Sequence, residues 1–154
     1  MNEFRITKYN PQYRVHGRYC KNEWTSISDV GKEFEDGVVL LEDYIKVENS
    51  YIQCCLDLLK VAKISSLNVS DIELYSNGIS LPTEVSDEQT LCEIIKCCLR
   101  EKCWAKLETK HFYIHFGYDY YMYIGTDIPI MTVETISCDN HLFCELMHSP
   151  YGVH

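Results

Sequence analysis

Long apolar runs are missing from this sequence. The richest windows, Tyr51 to Ile64 and Leu91 to Leu99, are broken by Asp57, Lys60, Glu93 and Lys96 and fall short of the roughly 20 residues a membrane-spanning helix needs. No membrane segment is expected. Residues Met1 to Asn10 mix Glu3, Arg5 and Lys8 with single apolar side chains, so they do not read as a secretory signal. Gly and Pro are scarce, 7 and 4 in 154 residues, which argues against a linker-rich or low-complexity chain. Positive charge is in deficit. With 14 Lys and Arg against 23 Asp and Glu, the net charge is −9, which opposes a direct grip on nucleic acid or an anionic membrane and suits a basic partner. Also absent are the G-x-S-x-G elbow, the P-loop, G-x-G-x-x-G and H-E-x-x-H, so no familiar nucleophile or phosphate cradle can be assigned and no catalytic residue is expected.

What the chain has is apolar side chain in quantity. Hydrophobic residues make up 46% and aromatics 12%, enough to offset the entropy of ordering the backbone. A length of 154 residues suits a single domain, 1–154, around one core. Nine cysteines are present, an odd number, and four of them form the adjacent pairs Cys54-Cys55 and Cys97-Cys98. Adjacent side chains point in different directions on a helix, and a chain this long needs no staples. Reduced thiols in the cytoplasm are therefore expected, packed as small hydrophobes.

Periodicity predicts the elements. Phe4 to Tyr9 alternates as a strand, Asn10 to Asn22 is a cation-bearing loop, and Trp24 to Ile27 is a second candidate strand closed by Ser28 to Gly31. From Leu41, the residues Leu41, Tyr44, Ile45, Tyr51, Ile52, Cys55, Leu58, Leu59 and Ala62 recur at three and four, which predicts a long amphipathic helix. Leu67 to Leu74 is a weak strand. Ser86 and Gln89 have capping-box spacing before a helix from about Asp87 to Glu101. Trp104 to Thr109, His111 to Phe116 and Tyr120 to Ile124 form an antiparallel meander, with Phe112, Ile114 and Phe116 on one face and Tyr113 and His115 on the other. Met131 to Cys138 is a short helix and Leu142 to Met147 a last edge strand. The expected fold is α+β, a mainly antiparallel sheet with helices on one face.

Four constellations could carry function. His111 and His115, on a strand, stand too far apart for one metal and are expected half-exposed. Cys138, His141, Cys144 and His148 offer zinc-type ligands, but their spacing is not that of a knuckle or ribbon and no metal or other cofactor is expected. Phe116-Gly117-Tyr118-Asp119-Tyr120-Tyr121-Met122-Tyr123 places more rings around a turn than one buried face can absorb, so Tyr118, Tyr120 and Tyr121 are candidate anchors beside Asp119. Glu35 and Asp36 lie in an acidic stretch, Glu33 to Asp43, that could dock a basic partner. Charge is uneven: residues 1–32 carry six cations and three anions, net +3, and residues 33–154 carry net −12.

At Glu23 to Gly31 and again at His115 to Gly125, the sequence resembles small bacterial immunity proteins of contact-dependent growth inhibition and polymorphic toxin systems. The resemblance implies a cytoplasmic protein without catalytic activity that binds the C-terminal domain of one cognate toxin, often a nuclease, and blocks its active site or its access to substrate. The expected partner is basic, and Glu35, Asp36, Tyr118, Asp119, Tyr120 and Tyr121 are the expected contact residues. The alternative is a small cytosolic enzyme or ligand-binding regulatory domain acting on a nucleotide-like metabolite.

Overall fold

Period-two alternation builds the frame of this α+β fold. The computed structural model describes residues 1–152. In chain order the elements are β1 (Asn2–Thr7), the ribbon β2 (Arg14–Val15) and β3 (Arg18–Tyr19), the ribbon β4 (Glu33–Phe34) and β5 (Gly37–Val38), α1 (Leu41–Ala62), β6 (Leu67–Leu74), β7 (Glu84–Val85), α2 (Glu88–Leu99), β8 (Cys103–Thr109), β9 (Phe112–Phe116), β10 (Met122–Thr126), α3 (Ile130–Asp139) and β11 (Phe143–Leu146). Seven strands form one antiparallel sheet in the order β11-β1-β10-β9-β8-β6-β7. The first strand therefore sits inside the sheet, between two strands from the end of the chain.

One face of the sheet carries the core. Phe4 and Ile6, Ala105 and Leu107, Phe112, Ile114 and Phe116, and Met122 and Ile124 point to it, where Tyr51, Leu58, Ile94, Ile95 and Val133 of the helices meet them. The helix α1 covers most of this face because its buried residues recur at three and four positions. Two residues expected on its stripe are not there: Leu41 and Ile45 are exposed, and Glu48 is buried instead. Arg100 makes that burial tolerable, since its Nε and Nη2 donate to the Glu48 carboxylate at 2.7 and 2.9 Å.

The start of α2 also differs from expectation. Asp87, not Ser86, is the N-cap, its carboxylate accepting from the Thr90 backbone N–H at 2.8 Å. The second candidate strand does not form. Ser26 leads instead into a 3-10 turn over Ile27–Asp29, where Asp29 accepts from the backbone N–H groups of Thr25 and Ser26, holding the chain in a turn that a strand could not make.

All three helices end alike. In α1, Lys63 and Ile64 donate to the carbonyls of Lys60 and Leu59; in α2, Glu101 and Lys102 donate to Cys98 and Cys97; in α3, His141 and Leu142 donate to Cys138 and Ser137. These are the crossed bonds of a Schellman turn, which needs a left-handed residue after the helix. Lys63, Glu101 and His141 take that conformation, with φ of 57, 58 and 59°, although none is glycine.

Candidate protein-binding face

The turn between β9 and β10 decides which aromatic rings are displayed. Asp119 and Tyr120 both have positive φ, 59 and 67°, and Tyr121 N–H donates to the Tyr118 carbonyl at 3.2 Å, as in the primed turns that match the twist of a hairpin. Tyr118 is thrown outward, 66% exposed, and Asp119 beside it is exposed. Glu101, at the left-handed end of α2, accepts from the Asp119 N–H at 3.3 Å. Tyr75, just past β6 and 50% exposed, lies near Tyr118 and donates its own hydroxyl to Glu73. That bond first, then burial and the nearby acidic groups, pushes the Tyr75 phenol up to about 12. The exposed aliphatics Leu74 and Ile72 continue the patch along β6.

Two phenols and three carboxylates, Tyr75, Tyr118, Glu73, Glu101 and Asp119, thus share one corner of the molecule. Sequence reasoning found Tyr118 and Asp119 there and missed Tyr75, Glu73 and Glu101. Those three come from two stretches distant from the turn, Glu73 and Tyr75 at the end of β6 and Glu101 after α2, and only the pairing of β6 with β8 and the reversal after α2 bring them to it.

Other candidates are placed differently. Tyr120 is not displayed: it is 2% exposed, because the left-handed turn rotates it towards the helices. There its ring packs edge-on against Trp24, Tyr44 and Tyr51 at 5.0 to 5.8 Å, and its hydroxyl bonds that of Tyr44, which donates to Glu48 at 3.0 Å. Tyr121 is half-buried on the opposite face of the sheet, stacked near Tyr9, flanked by the Arg5 and Arg14 guanidinium groups, and accepts from Arg14 at 3.1 Å. Glu35 and Asp36 are exposed at the tip of the β4–β5 ribbon, Asp36 pairing with Lys21 at 3.3 Å. Among the described residues, no hydrogen bond or ion pair joins that tip to Tyr118 or Asp119.

The cations of the N-terminal arm are largely consumed inside the molecule. Arg5 and Arg14 both pair with Glu145, Lys8 with Glu23, Lys21 with Asp36 and Lys32 with Asp29. Lys8 also lies over the Trp24 ring at 4.0 Å, and burial lowers its ammonium to about 8 against the pull of Glu23. The arm thus packs against the acidic body.

A second chemically notable cluster is sealed. His115 is 1% exposed, contrary to the half-exposed expectation, because residues after β11 close over it. Its Nδ1 bonds Ser149 Oγ at 2.7 Å and its Nε2 bonds Glu108 at 2.6 Å. The Tyr113 ring stacks on it with centroids 4.1 Å apart, and burial lowers its pKa below the usual imidazole value. Ser149 is 2% exposed, so this Ser-His-Glu array pins the chain end to the sheet and presents no reactive hydroxyl to solvent. His111 lies apart, paired with Asp127. Among the described residues, no three His, Cys, Asp or Glu side chains gather as a metal site would require, and no helix is long and apolar enough to cross a membrane.

Comparison of the chain with protein-family models, with curated proteins and with solved structures finds no match.

Proposed function

We propose that this chain is a stoichiometric inhibitor of the immunity type, acting in the cytoplasm, that captures the basic C-terminal domain of a cognate toxin. A nuclease is the partner class that best suits it. One observation carries the reading: Tyr75 and Tyr118 stand exposed among Glu73, Glu101 and Asp119, while five of the six arm cations are held in internal ion pairs. Rigid phenols supply contact area at low entropic cost. The carboxylates offer negative charge where a nuclease would otherwise seat phosphates. Such a surface also speeds encounter, which an inhibitor of a toxin needs.

Affinity capture from host lysate with the purified chain tests the proposal, the bound domain being identified and its nuclease activity assayed with and without an equimolar amount of the chain. A basic toxin domain that loses activity supports the reading. A Tyr118→Ala/Asp119→Lys variant with an unchanged melting curve should lose capture, and Glu101→Lys should slow association and flatten its salt dependence. Failure to recover any basic domain at nanomolar concentration, or equal capture by the double variant, would overturn it.

A second reading has one observation in its favour. A groove of about 440 Å³ runs between α1 and α2, floored by Leu56, Leu59, Leu67 and Leu91 and edged by Asp57, Asp87 and Glu88, a size that suits small ligands. Thermal stabilisation by a nucleotide-like metabolite would favour this regulatory role over capture.

A further inference from the structure

All nine cysteines are free, and two of them meet in the interior. Cys98, at the end of α2, and Cys103, opening β8, bring their Sγ atoms to 3.7 Å. Both are almost fully buried. Their approach follows from the Schellman turn, whose crossed bonds, both 3.0 Å, fold Leu99 to Lys102 back so that the strand begins beside the last turn of the helix. Cys97, next to Cys98 on the helix, is partly exposed. A partly exposed thiol therefore stands next in the chain to a buried pair.

We propose that Cys98 and Cys103 form a reversible disulfide, reached through Cys97 as the entry thiol, with a small disulfide of the glutathione type as oxidant. In the first step the Cys97 thiolate attacks one sulfur of the oxidant, forming a mixed disulfide and releasing one small thiol. Deprotonated Cys103 then attacks the Cys97 sulfur and expels the second small thiol. Cys98 next attacks the Cys103 sulfur and returns Cys97 to the thiol form. In sum, two protein thiols lose two protons and two electrons, and the oxidant becomes two thiols. The final bond needs the sulfurs to close from 3.7 Å to about 2.05 Å, within the reach of side-chain rotation where the backbone is already reversed.

Burial pushes the Cys97 thiol up to about 12, and the hydrogen bond with Cys98, then burial, raises that of Cys103. The exchange is therefore slow at neutral pH and accelerates as the pH rises. The pair is independent of the toxin reading, because it concerns only the turn from α2 into β8.

Incubation of the folded protein with oxidised glutathione, alkylation of the remaining thiols and tryptic digestion test the pair. Cleavage after Lys96, Arg100, Lys102 and Lys106 puts Cys97 and Cys98 on one peptide and Cys103 on another, so the disulfide appears as a cross-linked pair of peptides whose fragmentation identifies the bonded residue. The expected product is Cys98–Cys103 with Cys97 alkylated, and a melting temperature raised by several degrees. Cys97→Ser should reach the same product at least about tenfold more slowly, since its entry thiol is gone. A stable Cys97–Cys103 link, a mixed disulfide resting on Cys97, equal rates for Cys97→Ser and the parent chain, or no cross-link where the urea-unfolded chain cross-links readily would each overturn the proposal.

Discussion

At the residue scale, close packing sets constraints that charge and hydropathy do not reveal. Gly125 lies under the Tyr113 ring, and a Cβ built there would fall 2.1 to 2.7 Å from its Cε1, Cδ1 and Cζ atoms. Gly125→Ala should therefore cost about 2–3 kcal/mol in urea denaturation, and almost nothing when Tyr113→Ala is introduced with it. Nothing in the sequence around Gly125 announces this, since the glycine sits mid-strand with ordinary backbone angles. Tyr118 and Asp119 were legible as surface residues because a turn was. Tyr120 was not legible as core, because alternation counts residues along a strand and two consecutive left-handed residues reset the count. Tyr75 escaped notice for a different reason: its neighbours on the patch are distant in sequence.

At the element scale, most spans could be read from periodicity, which gave α1, α2, the meander and the last edge strand. Helix ends were harder. A sequence marks a Schellman turn by glycine, and here Lys63, Glu101 and His141 occupy the left-handed positions. Lys63→Gly and His141→Gly should each raise stability by about 0.5–1 kcal/mol, measured as a shift in the denaturation midpoint at unchanged slope. Glu101→Gly should match them in stability and also remove the carboxylate from the binding face, which separates turn strain from partner contact. The stripe of α1 makes the opposite prediction. Leu58 is fully buried, so Leu58→Ala should cost about 2–5 kcal/mol. Leu41 and Ile45 lie outside the core although they fit the same period, whereas Glu48, satisfied by Arg100, lies inside it.

At the scale of the whole molecule, the fold class followed from the pattern, whereas the pairing of charges across it did not. Sequence arithmetic separated a positive arm from a negative body, and only the fold shows the two neutralising each other at Glu145 and Asp36. Stability should in turn depend on pH through His115. Glu108, Lys106 and Glu3 all act on its ring, but burial dominates and holds its pKa below 6.5. Below that pH the unfolded chain binds a proton that the folded chain resists, so stability falls on acidification from pH 7 towards 5. Glu3 and Asp29, whose pKa values are lowered from 4.5 and 3.8, contribute losses only at more acid pH. His115→Gln should flatten the slope of denaturation free energy between pH 7 and 5. The position of β1 has a further consequence for synthesis. Both its neighbours, β10 and β11, follow it by most of the sequence, so Phe4 and Ile6 are synthesised long before the strands that flank them. A nascent chain arrested before residue 122 has no sheet partner for β1, which leaves its edges open to pairing with other chains.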